Sequence, residues 1–145
     1  MDFGVAVECE QRSAEASHIA AALSDAVQSA LQGGDYGVGL DHIYVGLLML
    51  PTHWKGHERR DFKFEKQCFV RSIFGPPETL NNVASVDAAV DPQLLEGQSP
   101  HEQRQFIARA ILGAVDEIGK HRENFPHSHF DKLRGDISEA LRVLE

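Results

Sequence analysis

The residues of this chain best equipped for chemistry are its eight histidines. His121, His127 and His129 lie close together, and His53 and His57 form a second group. A metal site needs ligands brought together by a rigid frame, as in a zinc finger or a His-Glu-x-x-His helix, and these spacings match no zinc signature. The first three surround Phe125-Pro126 between two helical stretches, so they read as surface or cap-adjacent histidines. A His-dependent metal hydrolase is the enzyme reading they would support, and it predicts bound zinc. Other catalytic arrangements are missing: there is no serine elbow and no paired Cys and His. The loop containing Gly34, Gly37 and Gly39 is not followed by the Lys-Ser or Lys-Thr of a phosphate cradle. Asp116-Glu117 and Asp131/Asp136 resemble acid pairs, but carboxylates on helix faces are ordinarily solvated. Cys9 and Cys68 sit in apolar, strand-like contexts, which reads as two buried free thiols, with a disulfide as the alternative. The expectation is no catalytic residue, no metal and no cofactor.

Charge says more. Fourteen basic residues stand against 22 acidic ones, for a net charge of −8. Residues 1–54 carry seven acids and one Arg, whereas residues 55–71 carry six bases and three acids. Residues 72–117 return to seven acids and two Arg, and the remainder balances at five each. Such a protein is repelled by the phosphate backbone, so nucleic acid is not the expected partner and a basic protein surface is. No apolar run approaches the roughly 20 residues a membrane span requires, and the N-terminus lacks a basic segment followed by an apolar one. The expectation is a cytoplasmic protein, one domain over residues 1–145.

These residues must be held by a frame, and the stretch Asp41 to Phe74 looks central to it. Ile43 to Leu50 is continuously apolar and Pro51 closes it; a polar connection follows, and Phe62-Lys63-Phe64 resumes with period two. This reads as a β-hairpin whose first strand is covered on both faces, although periodicity alone leaves a buried helix open. A parity shift suggests a bulge or break near Lys66. Upstream, Phe3, Val5, Val7 and Cys9 alternate with smaller or charged residues as in a half-buried strand. Ala16, Ile19, Leu23, Ala26, Val27, Ala30 and Leu31 then recur at helical spacing behind a Ser13 cap, and Gly33-Gly34 ends that helix. Residues 75–98 read as irregular, an insertion either mobile or functional. Downstream, Ser99-Pro100-His101-Glu102 is a helix start, and Phe106, Ile107, Ala110, Ile111, Ala114, Val115 and Ile118 form its stripe up to Gly119. A final helix, capped by Ser128 with Asp131, carries Phe130, Leu133, Ile137, Leu141 and Leu144. The expected fold is α+β: a small antiparallel sheet built on a central hairpin over about residues 42–74, covered by an N-terminal helix and two C-terminal helices.

Four segments carry a resemblance. They are Tyr44 to Pro51, Glu58 to Phe62, Cys68 to Arg71, and Asn124 to Ile137, read as Asn-Phe-Pro-His-Ser-His-Phe-Asp-Lys-Leu-Arg-Gly-Asp-Ile. Together they resemble bacterial immunity proteins of polymorphic-toxin and contact-dependent growth inhibition systems, over roughly residues 40–141. The resemblance implies a small cytoplasmic protein without enzymatic activity that neutralises one cognate toxin by forming a tight complex. If that toxin is a nuclease its cleft is basic, and the acids most exposed to its attraction are Asp35, Asp41, Glu78, Asp87, Asp91 and Glu96. The longer, proline-interrupted 75–98 segment departs from the pattern, so the partner surface does not carry over. A rival resemblance links Gly39 to Leu48 with the Gly-Thr-Glu-His…Gly-Leu-Leu helix of Clp ATPase N-domains, which bind adaptors or substrates. It covers about ten residues, lacks the second copy of the motif, and requires a helix where Pro51 and the Phe62/Phe64 alternation favour a hairpin.

Overall fold

The structure, a computed structural model, describes residues 2–8, 14–34, 36, 42–49, 62–65, 68–71, 83–90, 95–121 and 127–142. Eight elements run along the chain: β1 (Asp2–Glu8), α1 (Ala14–Leu31), β2 (His42–Met49), β3 (Phe62–Glu65), β4 (Cys68–Arg71), β5 (Val83–Val90), α2 (Pro100–His121) and α3 (His127–Arg142). The strands form one sheet in the order β1-β2-β5-β4-β3.

The expected antiparallel sheet on a central hairpin is overturned by the pairing. β2 is not hydrogen-bonded to β3; it runs parallel to β1, with Phe3 opposite Ile43, and parallel to β5, with Val45 opposite Val86. The antiparallel part is confined to β3-β4 and β4-β5, with Phe64 opposite Phe69 and Phe69 opposite Ala89. Sequence neighbours had suggested a hairpin, but β2 is a central strand, and parallel strands are joined by long crossovers. Here α1 supplies one crossover and the β3-β4 hairpin lies within the other. The break expected near Lys66 is real in outcome, since Phe62–Glu65 and Cys68–Arg71 are two strands that pair with each other. The segment read as irregular contains β5, which sits between β2 and β4. Because residues 42–49 are strand, the Clp-type helical reading of that stretch also falls.

The helices build one core on one side of the sheet. α1 packs on β1, and α2 packs on β5, β2 and β4. α3 makes its main contacts with α1 and α2, so it braces the helical layer instead of covering strands as expected. Ile43, Val45 and Leu47 from β2 and Val86, Ala88 and Val90 from β5 meet Leu23 and Val27 of α1 and Ile107, Ile111 and Ile118 of α2 in this core. All seven stripe positions foreseen on α2 are buried. Truncating any of the fully buried Leu or Ile side chains to Ala would cost about 2–5 kcal/mol.

The helix ends follow from local chemistry. Ser99 Oγ accepts the Glu102 backbone N–H at 3.2 Å, and Glu102 Oε1 accepts the Ser99 N–H at 3.1 Å, the reciprocal arrangement expected there. These bonds to its charged form hold the Glu102 carboxyl below its ordinary range. Gly33 adopts φ 74°, a left-handed conformation that lets the chain leave α1. Two boundaries differ from expectation: α2 runs through Gly119 to His121, and α3 already includes Ser128.

β1 is an edge strand, and two of its backbone donors are occupied. The Phe3 N–H donates to Gln28 Oε1 and the Val5 N–H donates to Ser24 Oγ at 3.2 Å. Gln28 and Ser24 are one helical turn apart, about 6 Å, close to the roughly 6.6 Å spanned by two strand residues. One helix therefore caps alternate donors of the strand beside it, which blunts an edge open to strand addition.

A candidate interaction surface

The far face of the sheet begins with its small residues. Gly4 stands opposite Tyr44 and Ala6 opposite Gly46, while the intervening Phe3, Ile43 and Val45 are buried toward the helices. Alternation alone explains why Tyr44 points the other way. With 48% of its surface accessible, it is an exposed large hydrophobic side chain, so the expectation that this strand is covered on both faces fails. The reason is that His42, Tyr44 and Gly46 share the side of the strand away from the helices, which the continuous run of apolar letters concealed.

Tyr44 is held in place by its neighbours. Its ring lies parallel to that of His42, with centroids 5.9 Å apart and planes 6° from parallel. It also fills the space above Gly4: a Cβ there would stand 3.2 Å from Cδ1 and 3.3 Å from Cε1 of Tyr44. His42 Nδ1 lies 3.1 Å from Asp2 Oδ2 but outside hydrogen-bond geometry. Asp2 in turn accepts a hydrogen bond from Gln28 Nε2 at 3.2 Å, and the same Gln28 amide caps Phe3. The sequence β1, β2 and β5 contains three carboxylates, Asp2, Glu8 and Asp87, and no Lys or Arg.

The helical layer carries other polar contacts. Tyr36 is buried, and its hydroxyl donates to Asp136 Oδ2 at 2.6 Å. Lys132 Nζ lies 5.7 Å from the Tyr36 ring centroid. Burial, then the bond to Asp136 and its charge, push the Tyr36 hydroxyl up to about 12. Arg134 donates twice to the Asp116 carboxylate, through Nε and through Nη2 at 3.3 Å. Glu117 is buried. Asp116, Glu117 and Asp136 are thus engaged or enclosed, not the freely solvated acids expected from the helix pattern. A groove of about 270 Å³ between α2 and α3 is lined by Arg109, Leu112, Ser138, Leu141 and Arg142 among others.

Of the six acids singled out from the sequence, Glu96 is exposed in the turn before α2. Asp87 holds the β5 position opposite Gly46. Asp35, Asp41, Glu78 and Asp91 lie outside the described residues, as do His53, His57 and Cys9. Among the described residues no three His, Cys, Asp or Glu are grouped as metal ligands, and no helix is long and apolar enough to cross a membrane. The sequence reading passed over Tyr44, His42 and Asp2; the available signal was the Tyr44-x-Gly46 alternation inside an otherwise apolar run.

Fold and surface together define a small helix-on-sheet protein with an exposed aromatic side chain on the sheet face away from the helices. The chain belongs to the bacterial immunity protein family described as immunity protein 44, whose model matches residues 1–142. No curated protein and no solved structure matches it. Membership of an immunity protein family implies a cognate toxin as partner.

Proposed function

We propose that this protein neutralises its cognate toxin by binding it in a tight, non-catalytic complex. The observation that carries the reading is the family match, which extends over nearly the whole chain. A net charge of −8 supports a basic partner surface, such as the cleft of a nuclease. In that setting Asp35, Asp41, Glu78, Asp87, Asp91 and Glu96 steer the toxin to the complex and speed association. The protein acts in the cytoplasm, where a toxin delivered by contact-dependent inhibition would reach its target.

The test is to purify the chain with the catalytically silenced toxin domain encoded beside its gene and to measure binding by calorimetry. Complex formation with the silenced domain at or below micromolar concentration, and loss of the active domain's activity at one equivalent of this chain, are the expected results. An intact toxin domain that ignores the chain at that concentration refutes the proposal.

A further inference from the structure

We infer that the open sheet face centred on Tyr44 is where the toxin docks, and that it receives a basic segment whose Arg or Lys side chain lies on the Tyr44 ring. The inference rests on the proposed function and adds the surface and the chemistry of what it accepts.

Three observations meet on this face. The first is the exposed aromatic ring itself, of the residue type that most often anchors protein interfaces. Stacking on His42 and contact over Gly4 leave it little rotamer freedom to lose on binding. The second is clearance: past the ring, Ala6 and Gly46 stand opposite each other with almost no side-chain bulk, so a partner backbone can approach the sheet there. The third is charge. The exposed Asp2 carboxylate lies at this end of the sheet, β1 and β2 contain no Lys or Arg, and from Ser13 to Trp54 the chain has neither basic residue. An electron-rich ring, with the exposed Asp2 carboxylate on the far side of the His42 that it stacks on, favours a cation on the partner, and a guanidinium can stack on the ring. The groove between α2 and α3 is the weaker candidate for a basic partner, since Arg109 and Arg142 line it.

Strand addition at β1 is not the expected mode, because Gln28 and Ser24 already occupy alternate edge donors. The toxin meets the face of the sheet.

The test compares Tyr44→Ala, Tyr44→Phe and Asp2→Asn with the parent chain for binding to the silenced toxin domain, with thermal melts confirming that each variant is folded. Tyr44→Ala is expected to weaken binding about thirtyfold, the loss at the threshold of an interface hot spot. Tyr44→Phe retains the ring and is expected to stay within about threefold of the parent. Asp2→Asn lowers the association rate about threefold at low salt and converges on the parent at high salt. If the parent binds and folded Tyr44→Ala binds as tightly, the docking face is wrong while the immunity reading stands. If the parent does not bind, both fall. A Tyr44-dependent dimer of the free chain in sedimentation would assign the face to a second copy and also overturn the inference.

Discussion

Gly119 offers a sharp test of how the helical layer is packed. Replacing a mid-helix Gly with Ala ordinarily stabilises a protein by about 0.5–1 kcal/mol, because the unfolded chain loses freedom it would otherwise surrender on folding. Gly113 in α2 and Gly135 in α3 obey that expectation, since a Cβ at either would meet nothing within 4 Å. At Gly119 the same methyl would stand 2.7 Å from Phe130 Cζ and closer still to Cε1, well inside a carbon–carbon contact of about 3.5–4.0 Å. Phe130 is buried at the start of α3 and has little room to withdraw. Overpacking of this kind costs about 1–3 kcal/mol, which outweighs the helix gain and leaves a net loss of about 1–2 kcal/mol. With about 3 °C in Tm per kcal/mol at this chain length, Gly113→Ala should melt about 2–3 °C higher and Gly119→Ala about 3–6 °C lower. Thermal melts followed by far-UV circular dichroism measure both. In a Phe130→Ala background the Gly119 substitution should turn neutral or stabilising, because the clash is gone. A Gly119→Ala protein as stable as Gly113→Ala would refute this packing of α3 on α2.

Three further outcomes are expected. Ser24→Ala with Gln28→Ala uncovers two edge donors; it should cost about 1–2 kcal/mol in urea unfolding and promote self-association seen by sedimentation. Tyr36→Phe removes the hydrogen bond to Asp136 and should cost about 1–2 kcal/mol at neutral pH. Because folding raises the Tyr36 pKa from 10.0 to about 12, its proton-linked stabilisation is fully present below pH 10 and lost as pH rises through about 12. The parent should therefore show an alkaline decline of about 2–3 kcal/mol at most that Tyr36→Phe lacks. Neutralising Asp35, Asp41, Glu78, Asp87, Asp91 and Glu96 together should slow association with the toxin by about tenfold at low salt and leave dissociation nearly unchanged; equal rates in stopped-flow mixing would remove them from the recognition surface.

The helices were legible because their signals are local. The stripe from Phe106 to Ile118 and the Ser99/Glu102 cap need no knowledge of the rest of the chain. Even there, Gly119 read as a helix end because a glycine's reason for being in a helix, contact with Phe130, is tertiary. The sheet was less legible for two physical reasons. β5 buries Val86, Ala88 and Val90, but alanine is so weak an apolar marker that the period-two pattern did not stand out and the segment read as irregular. Pairing is also non-local: nothing in His42 to Met49 shows that its neighbours are residues 2–8 and 83–90 and not the adjacent 62–65. The net charge of −8, on which the proposal of a basic partner rests, was visible in composition. The aromatic at the centre of the open face was hidden, because Tyr44 counts as apolar in a run and becomes distinctive only when the strand's two sides are separated.

The caps on β1 also bear on how the protein is made. The unit β1-α1-β2 is complete once Met49 has been synthesised, and α1 can then guard the β1 edge with Gln28 and Ser24. The other side of β2 has no such guard; its partner begins at Val83, which pairs with His42 41 residues earlier. At about 5–20 residues per second, an apolar strand waits roughly 2–8 s on the nascent chain before β5 arrives. That interval is when this small protein is most open to aggregation and to chaperones, and slow codons between residues 50 and 82 would lengthen it.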